Sequence, residues 1–141
     1  MQQSNAIVMS FAVEQGDFKT AGEASSKIKS RLLQLGFPGC LIRRVAVATY
    51  EAEMNIVIHS YGGTIEARIV PGEVTIFARD LGPGIADLDQ AMAEGFSTAP
   101  EEIREMGFGA GMGLPNMRNC STKFSIKSEV GKGTVITMVI S

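Results

Sequence analysis

Hydrophobic residues alternate with polar ones in some stretches of this chain and recur every three to four positions in others. Ala6 to Val13 is apolar and rich in β-formers, and it reads as a strand. Asp17 is placed to cap a helix in which Ala24, Ile28, Leu32 and Leu35 fall near helical spacing, with Gly36 as its stop. Pro38 suits the first turn of a second helix, predicted from about Gly39 to Ser60 and ended by Gly62-Gly63. Thr64–Val70 and Glu73–Arg79 flank Pro71-Gly72 and predict a hairpin. Within it, Ile65, Ala67 and Ile69 alternate with Glu66 and Arg68, as expected of a sheet covered on one face.

Beyond the hairpin the pattern weakens. Asp87 is placed to cap a brief helix through Ala93. Gly95 to Gly111 is rich in Gly, Ser, Thr, Pro and charge without sustained periodicity; a loop that long in a compact domain is functional or mobile. A third helix is predicted from near Met112, with Pro115 in its first turn, to around Cys120. Phe124–Val130 and Thr134–Ile140 form a last hairpin around Gly131-Lys132-Gly133. Two hairpins and long helices fit an α+β two-layer sandwich, a mixed, mostly antiparallel sheet with helices on one face. Strict β-α-β alternation is absent, which argues against a Rossmann sheet. Neither repeat nor linker divides residues 1–141, so one domain is expected.

Composition narrows the chemistry. A net charge of −2, with Lys and Arg scattered, supplies no basic field for nucleic acid. Cys40, Cys120 and the lone His59 share no metal-binding spacing, and free thiols in a reducing cytoplasm are expected. No basic leader opens the chain, and no apolar run reaches the ~18–20 residues of a membrane span. The eight methionines read as filler for the core and the glycine-rich loop.

Three constellations remain. Glu51, Asn55 and His59 recur every four residues and stack along one face of the second helix. There an amide oxygen can ligate Mg²⁺ while a carboxylate one turn away orients or deprotonates a nucleophile; a solvated helix face is the plainer alternative. His59 is expected to be a structural histidine, and Glu53, off the row, to be exposed. Asp80 ends an apolar strand just before Gly82 and Gly84, where a carboxylate can accept the adenine exocyclic amine and glycines admit the base; an exposed turn is its alternative. Gly107, Gly109, Gly111 and Gly113 lead into a helix N-terminus, a place suited to phosphate, with a flexible hinge as the other reading. Arg104, just before them, can reach a terminal phosphate.

Together, Glu51-x-x-x-Asn55, Asp80-x-Gly82-x-Gly84-Ile85, the Gly107–Gly113 run and Gly131-x-Gly133-Thr134 resemble the boxes of the GHKL ATPases, in order and over nearly the whole chain. Within that group the chain looks like the small serine kinases of bacterial partner switching, the anti-sigma factors and their relatives. The resemblance rests on the segment from Glu51 to Tyr61 and on Phe96-Ser97-Thr98-Ala99-Pro100 with Arg104. It implies a Bergerat-type ATP-binding fold and a cytoplasmic protein-serine kinase using ATP and Mg²⁺ on a STAS-domain antagonist or scaffold. Glu51 would be the base, Asn55 the Mg²⁺ ligand and Asp80 the adenine reader. Gly82, Gly84, Ile85, Arg104, Gly107, Gly109, Gly111, Gly113, Leu114 and Thr134 would line the nucleotide. A sigma factor or a phosphatase would be further partners, and a homodimer is compatible. The run Gly-Phe-Gly-Ala-Gly-Met-Gly-Leu-Pro is closer to the switch-kinase branch than to sporulation anti-sigma factors, which counts against direct sigma-factor binding. Two other readings stand beside the kinase: a binding module that sequesters a regulator with ATP as conformational ligand, and a stand-alone histidine-kinase ATP domain.

Overall fold

The computed structural model describes residues 6–82, 92 and 113–141. The helix expected between Asp87 and Ala93, most of the glycine-rich segment, and the site candidates Gly84, Ile85, Arg104, Gly107, Gly109 and Gly111 lie outside the described residues. The elements are β1 (Ile7–Val13), α1 (Glu23–Gln34), α2 (Gly39–His59), β2 (Gly63–Val70), β3 (Glu73–Leu81), α3 (Gly113–Cys120), β4 (Lys123–Glu129) and β5 (Gly133–Ile140).

The five strands form one sheet in the order β1-β2-β3-β5-β4. Every pairing among the described residues is antiparallel, so the sheet is more uniform than the mixed one expected. The alternation along each strand sends one set of side chains toward the helices. Ile65, Ala67, Val74, Ile76, Ile136 and Met138 are buried there against Ile28 and Leu32 of α1, Val45 and Ile56 of α2 and Met117 of α3. On the other face Glu66 reaches Arg68 at 3.7 Å and Arg79 at 3.6 Å, and both guanidinium groups lie over the Phe77 ring. Exposed charge on one face and aliphatic burial on the other is the one-sided sheet that the alternation predicts.

Two helix starts differ from expectation. Asp17 does not cap α1; its carboxylate accepts the Thr20 amide and hydroxyl in a local turn, which holds its pKa below the usual aspartate range. The helix begins only at Glu23, after Gly22 at φ +96°. Pro38 stands at the N-cap of α2 rather than in its first turn, and its carbonyl accepts the amides of Leu41 and Ile42. At the far end Ser60 stops α2: its hydroxyl donates to the Ile56 carbonyl at 2.9 Å and accepts the Gly62 amide at 3.0 Å.

Candidate functional site

Residues 60–62 alone separate α2 from Gly63, which pairs with Asp80. The C-terminal end of α2 and the end of β3 therefore lie at the same end of the sheet. Asp80 continues the inward series Ile76 and Ala78, but it stands where the strand leaves the core and is only half-buried. Its Oδ1 accepts the Thr134 amide at 3.1 Å. Oδ2 has no hydrogen-bond partner among the described residues. Burial raises the Asp80 pKa, and the Thr134 N–H partly opposes this. A desolvated carboxylate with an open oxygen favours a ligand that donates a hydrogen bond.

Neighbouring strands complete this floor. Thr134 is Asp80's register partner on β5 and is buried, its hydroxyl 2.8 Å from that of Ser128 on β4. A Cβ at Gly133 would lie 2.1 Å from the Asp80 carbonyl oxygen, and its φ of +137° suits glycine alone. Across the other strand, a Cβ at Gly63 would lie 2.1 Å from the Arg79 carbonyl oxygen. The Gly82 amide donates to the Lys132 carbonyl at 3.1 Å, which brings the first glycine of the Asp80 motif against the β4–β5 turn.

The second cluster lies between α2 and α3. Glu51 Oε2 accepts a hydrogen bond from Asn116 Nδ2 at 3.1 Å, and Oε1 lies 3.4 Å from where a Cβ on Gly113 would sit. Leu114, expected at the nucleotide, is buried beside Pro115 and Met117 where α3 packs on the core. Asn55 is half-buried one turn from Glu51, and its side chain has no hydrogen-bond partner among the described residues. His59 is half-buried, and burial lowers its pKa, which keeps the imidazole neutral near pH 7. Burial likewise pushes the Cys120 thiol up, so it stays protonated, while Cys40 is exposed.

Glu53 corrects the sequence reading. It is buried, not exposed, because it points to the opposite side of α2 and caps α1. Its oxygens accept the amides of Gly22 at 3.1 Å, Ala24 at 3.1 Å and Ser25 at 2.9 Å. These are the unpaired N–H groups of a helix start, at the positive end of its dipole. No local spacing could reveal a cap supplied from another helix. Asn116, Ser128 and Gly63 also escaped sequence reasoning. Of these only Asn116 had a signal, three residues after Gly113 on one face of α3.

The family of Histidine kinase-, DNA gyrase B-, and HSP90-like ATPases matches residues 41–141. The chain belongs to this ATPase family. The matched region starts inside α2 and takes in both clusters and the last strand, so this is an ATP-binding domain. An anti-sigma F factor of Caldanaerobacter subterraneus subsp. tengcongensis is 36% identical over 102 residues, covering 69% of this chain and 68% of that protein. The serine/threonine-protein kinase RsbT of Bacillus subtilis is 33% identical over 110 residues, covering 75% of this chain and 77% of its own. The anti-sigma F factor of Clostridium acetobutylicum is 37% identical over 99 residues, covering 67% and 66%.

The donor set of this ATPase domain suits Mg²⁺ held jointly with nucleotide. Among the described residues no three His, Cys, Asp or Glu side chains gather into a metal cage, whereas Asn55 offers one hard amide oxygen. Mg²⁺ in nucleotide sites keeps several waters and leans on phosphate oxygens, so one protein ligand suffices. Among the described residues no helix is long and apolar enough to cross a membrane.

Proposed function

We propose that this chain is an ATP-dependent protein-serine kinase whose substrate is a STAS-domain antagonist or scaffold of a partner-switching system. The observation that carries the reading is the half-buried Glu51 carboxylate, one turn before Asn55, with one oxygen anchored by Asn116 and the other without a hydrogen-bond partner among the described residues. The relative named a serine/threonine-protein kinase supports it.

Asp80 accepts the adenine amine on Oδ2 while the Thr134 amide holds Oδ1. Asn55 would hold Mg²⁺, which would supply neutralisation of phosphate charge. The serine hydroxyl oxygen bonds to the γ-phosphorus as the bond to the β-phosphate oxygen breaks, ADP departs, and Glu51 takes the hydroxyl proton. Such transfer asks the protein mainly for positioning and charge neutralisation, so few catalytic side chains suffice.

The test is single-turnover transfer from labelled ATP to STAS-domain proteins of the same genome. Glu51→Gln keeps the shape and loses the base; general-base catalysis contributes roughly 10²–10⁴-fold, and transfer falls by that order at unchanged ATP affinity. Asn55→Ala weakens Mg-ATP binding itself. Wild-type transfer in Glu51→Gln would sink the catalytic reading. A second reading, a module that sequesters a sigma factor, draws on the relatives named anti-sigma F factor. It predicts ATP-dependent capture of a purified sigma factor that Glu51→Gln leaves intact.

A further inference from the structure

Helices α2 and α3 are joined by two polar contacts that differ in what they hold. Arg44 Nε donates to the carbonyl of Cys120, the last residue of α3, at 3.0 Å, and its other nitrogens reach the Ser141 carbonyl at 2.9 Å and the Thr122 hydroxyl at 3.2 Å. Two turns further along α2, Glu51 Oε2 accepts the Asn116 amide at 3.1 Å. Arg44 precedes Glu51 on α2, whereas Cys120 follows Asn116 on α3, so the helices run antiparallel and are pinned at two levels. The Arg44 contact touches only backbone and a hydroxyl at the C-terminal end of α3. The Asn116 contact ends on the carboxylate assigned to proton transfer.

From this geometry we infer that Asn116 is a positioning residue for phosphoryl transfer, fixing the Glu51 carboxylate so that Oε1 alone faces the incoming hydroxyl. This rests on the kinase reading of Glu51. A free glutamate in a helix samples several rotamers, and its two oxygens exchange by rotation of the terminal torsion. A donor on Oε2 removes that freedom, as the base must stand within hydrogen-bond reach of one proton. Gly113 supplies the complement. Lacking a Cβ, it keeps clear the side of Oε1 against which the Cβ of any other residue would pack at 3.4 Å. Asn116 is itself held in place, since Pro115 and Met117 on either side are buried and the carbonyl one turn on is bound by Arg44. Its amide anchors Glu51 without adding a charge that would compete for the hydroxyl proton or the phosphates.

Misplacing a reacting group by about 1 Å can cost about 100-fold in rate, so Asn116→Leu, with the same branched skeleton but bulkier and without a donor, lowers single-turnover transfer about 10- to 100-fold. Calorimetric Mg-ATP affinity stays within twofold. The deciding readout is the same substitution in a Glu51→Gln background, assayed on the STAS-domain protein that the wild type phosphorylates fastest. With no base to position, Asn116→Leu there costs less than twofold more. An equal fractional loss in both backgrounds, or a matching loss of ATP affinity, makes Asn116 an ordinary interhelical tie and overturns the inference. Asn116→Ser, shorter but polar, repeats the cycle if the leucine variant does not fold. Failure of the kinase reading is separately visible: Glu51→Gln alone then transfers at the wild-type rate, and the positioning role falls with it.

Discussion

Glu53 and Ser25 are 28 residues apart in sequence, yet the Glu53 carboxylate accepts the Ser25 amide at 2.9 Å deep between α1 and α2. The Ser25 hydroxyl answers by donating to the Ala46 carbonyl of α2 at 2.8 Å. Each helix therefore satisfies a polar group of the other. Glu51 and Glu53, two positions apart, point to opposite sides of α2, one toward the candidate reaction and the other into the fold.

Glu53→Gln lowers stability by about 1–3 kcal/mol at pH 7, since an amide can accept on only one side and turns its NH₂ against the remaining N–H donors. Amide exchange at Gly22, Ala24 and Ser25 speeds up, while Mg-ATP affinity is unchanged. Burial, opposed by the Ser25, Ala24 and Gly22 amides, raises the Glu53 pKa. Between the unfolded carboxylate range and that raised value the folded chain holds more protons than the unfolded one. The contribution of Glu53 to stability accordingly falls as pH rises through this window and is flat above it. Denaturant titrations from pH 4 to 7 show this slope in the wild type and lose its Glu53 part in Glu53→Gln.

Asp80→Asn separates binding from folding. The Thr134 amide keeps the new amide oxygen, which leaves an NH₂ where the proposed adenine amine would donate, donor against donor. Losing a charge-assisted hydrogen bond of about 1.5–3 kcal/mol weakens ATP by about tenfold or more in calorimetry. The nucleotide-free protein becomes slightly more stable, because burial already disfavours the Asp80 charge. In the wild type, ATP affinity begins to fall at a higher pH than an ordinary aspartate would impose.

Thr49→Val stabilises the protein. The Thr49 side chain is fully buried on α2, and its hydroxyl has no hydrogen-bond partner among the described residues. Replacing a buried unpaired hydroxyl by a methyl of similar shape returns about 1 kcal/mol. The measurement is the urea midpoint, with an unchanged denaturant slope and unchanged ATP affinity.

Gly133→Ala damages fold and nucleotide binding together. The added methyl meets backbone, the Asp80 oxygen at 2.1 Å and the Gly82 nitrogen at 2.9 Å, so no side chain can rotate away. The β3–β5 ladder must part at Asp80, at a cost of about 2–4 kcal/mol. A variant with normal melting temperature and ATP affinity would contradict this geometry.

Among the described residues, periodicity revealed the strands and most helix ends, since burial on one side of a sheet leaves an alternating trace. It also exposed the Glu51–Asn55–His59 row, because three polar residues at helical spacing interrupt an apolar helix. The start of α1 was illegible: Asp17 has the chemistry of a cap but spends it on Thr20, and the true cap comes from another helix. Ser128 was hidden for the same reason, and Asn116 showed only its spacing from Gly113. A polar residue acquires a role only through its partner, and that partner lies far away in sequence.

Asp80 stands on a strand paired on both sides, with Gly63 and Thr134 as its register partners. On the proposed assignment, reading the base is thereby tied to the end of the sheet's central strand: a chain that has folded has already placed the Asp80 carboxylate. Glu51 depends instead on the packing of one short helix. The two carboxylates can therefore fail independently, and loss of the Asn116 tie would slow transfer while leaving Asp80 in place. A lineage could pass from enzyme to ATP-gated adaptor by a few changes in eight residues, without rebuilding its fold.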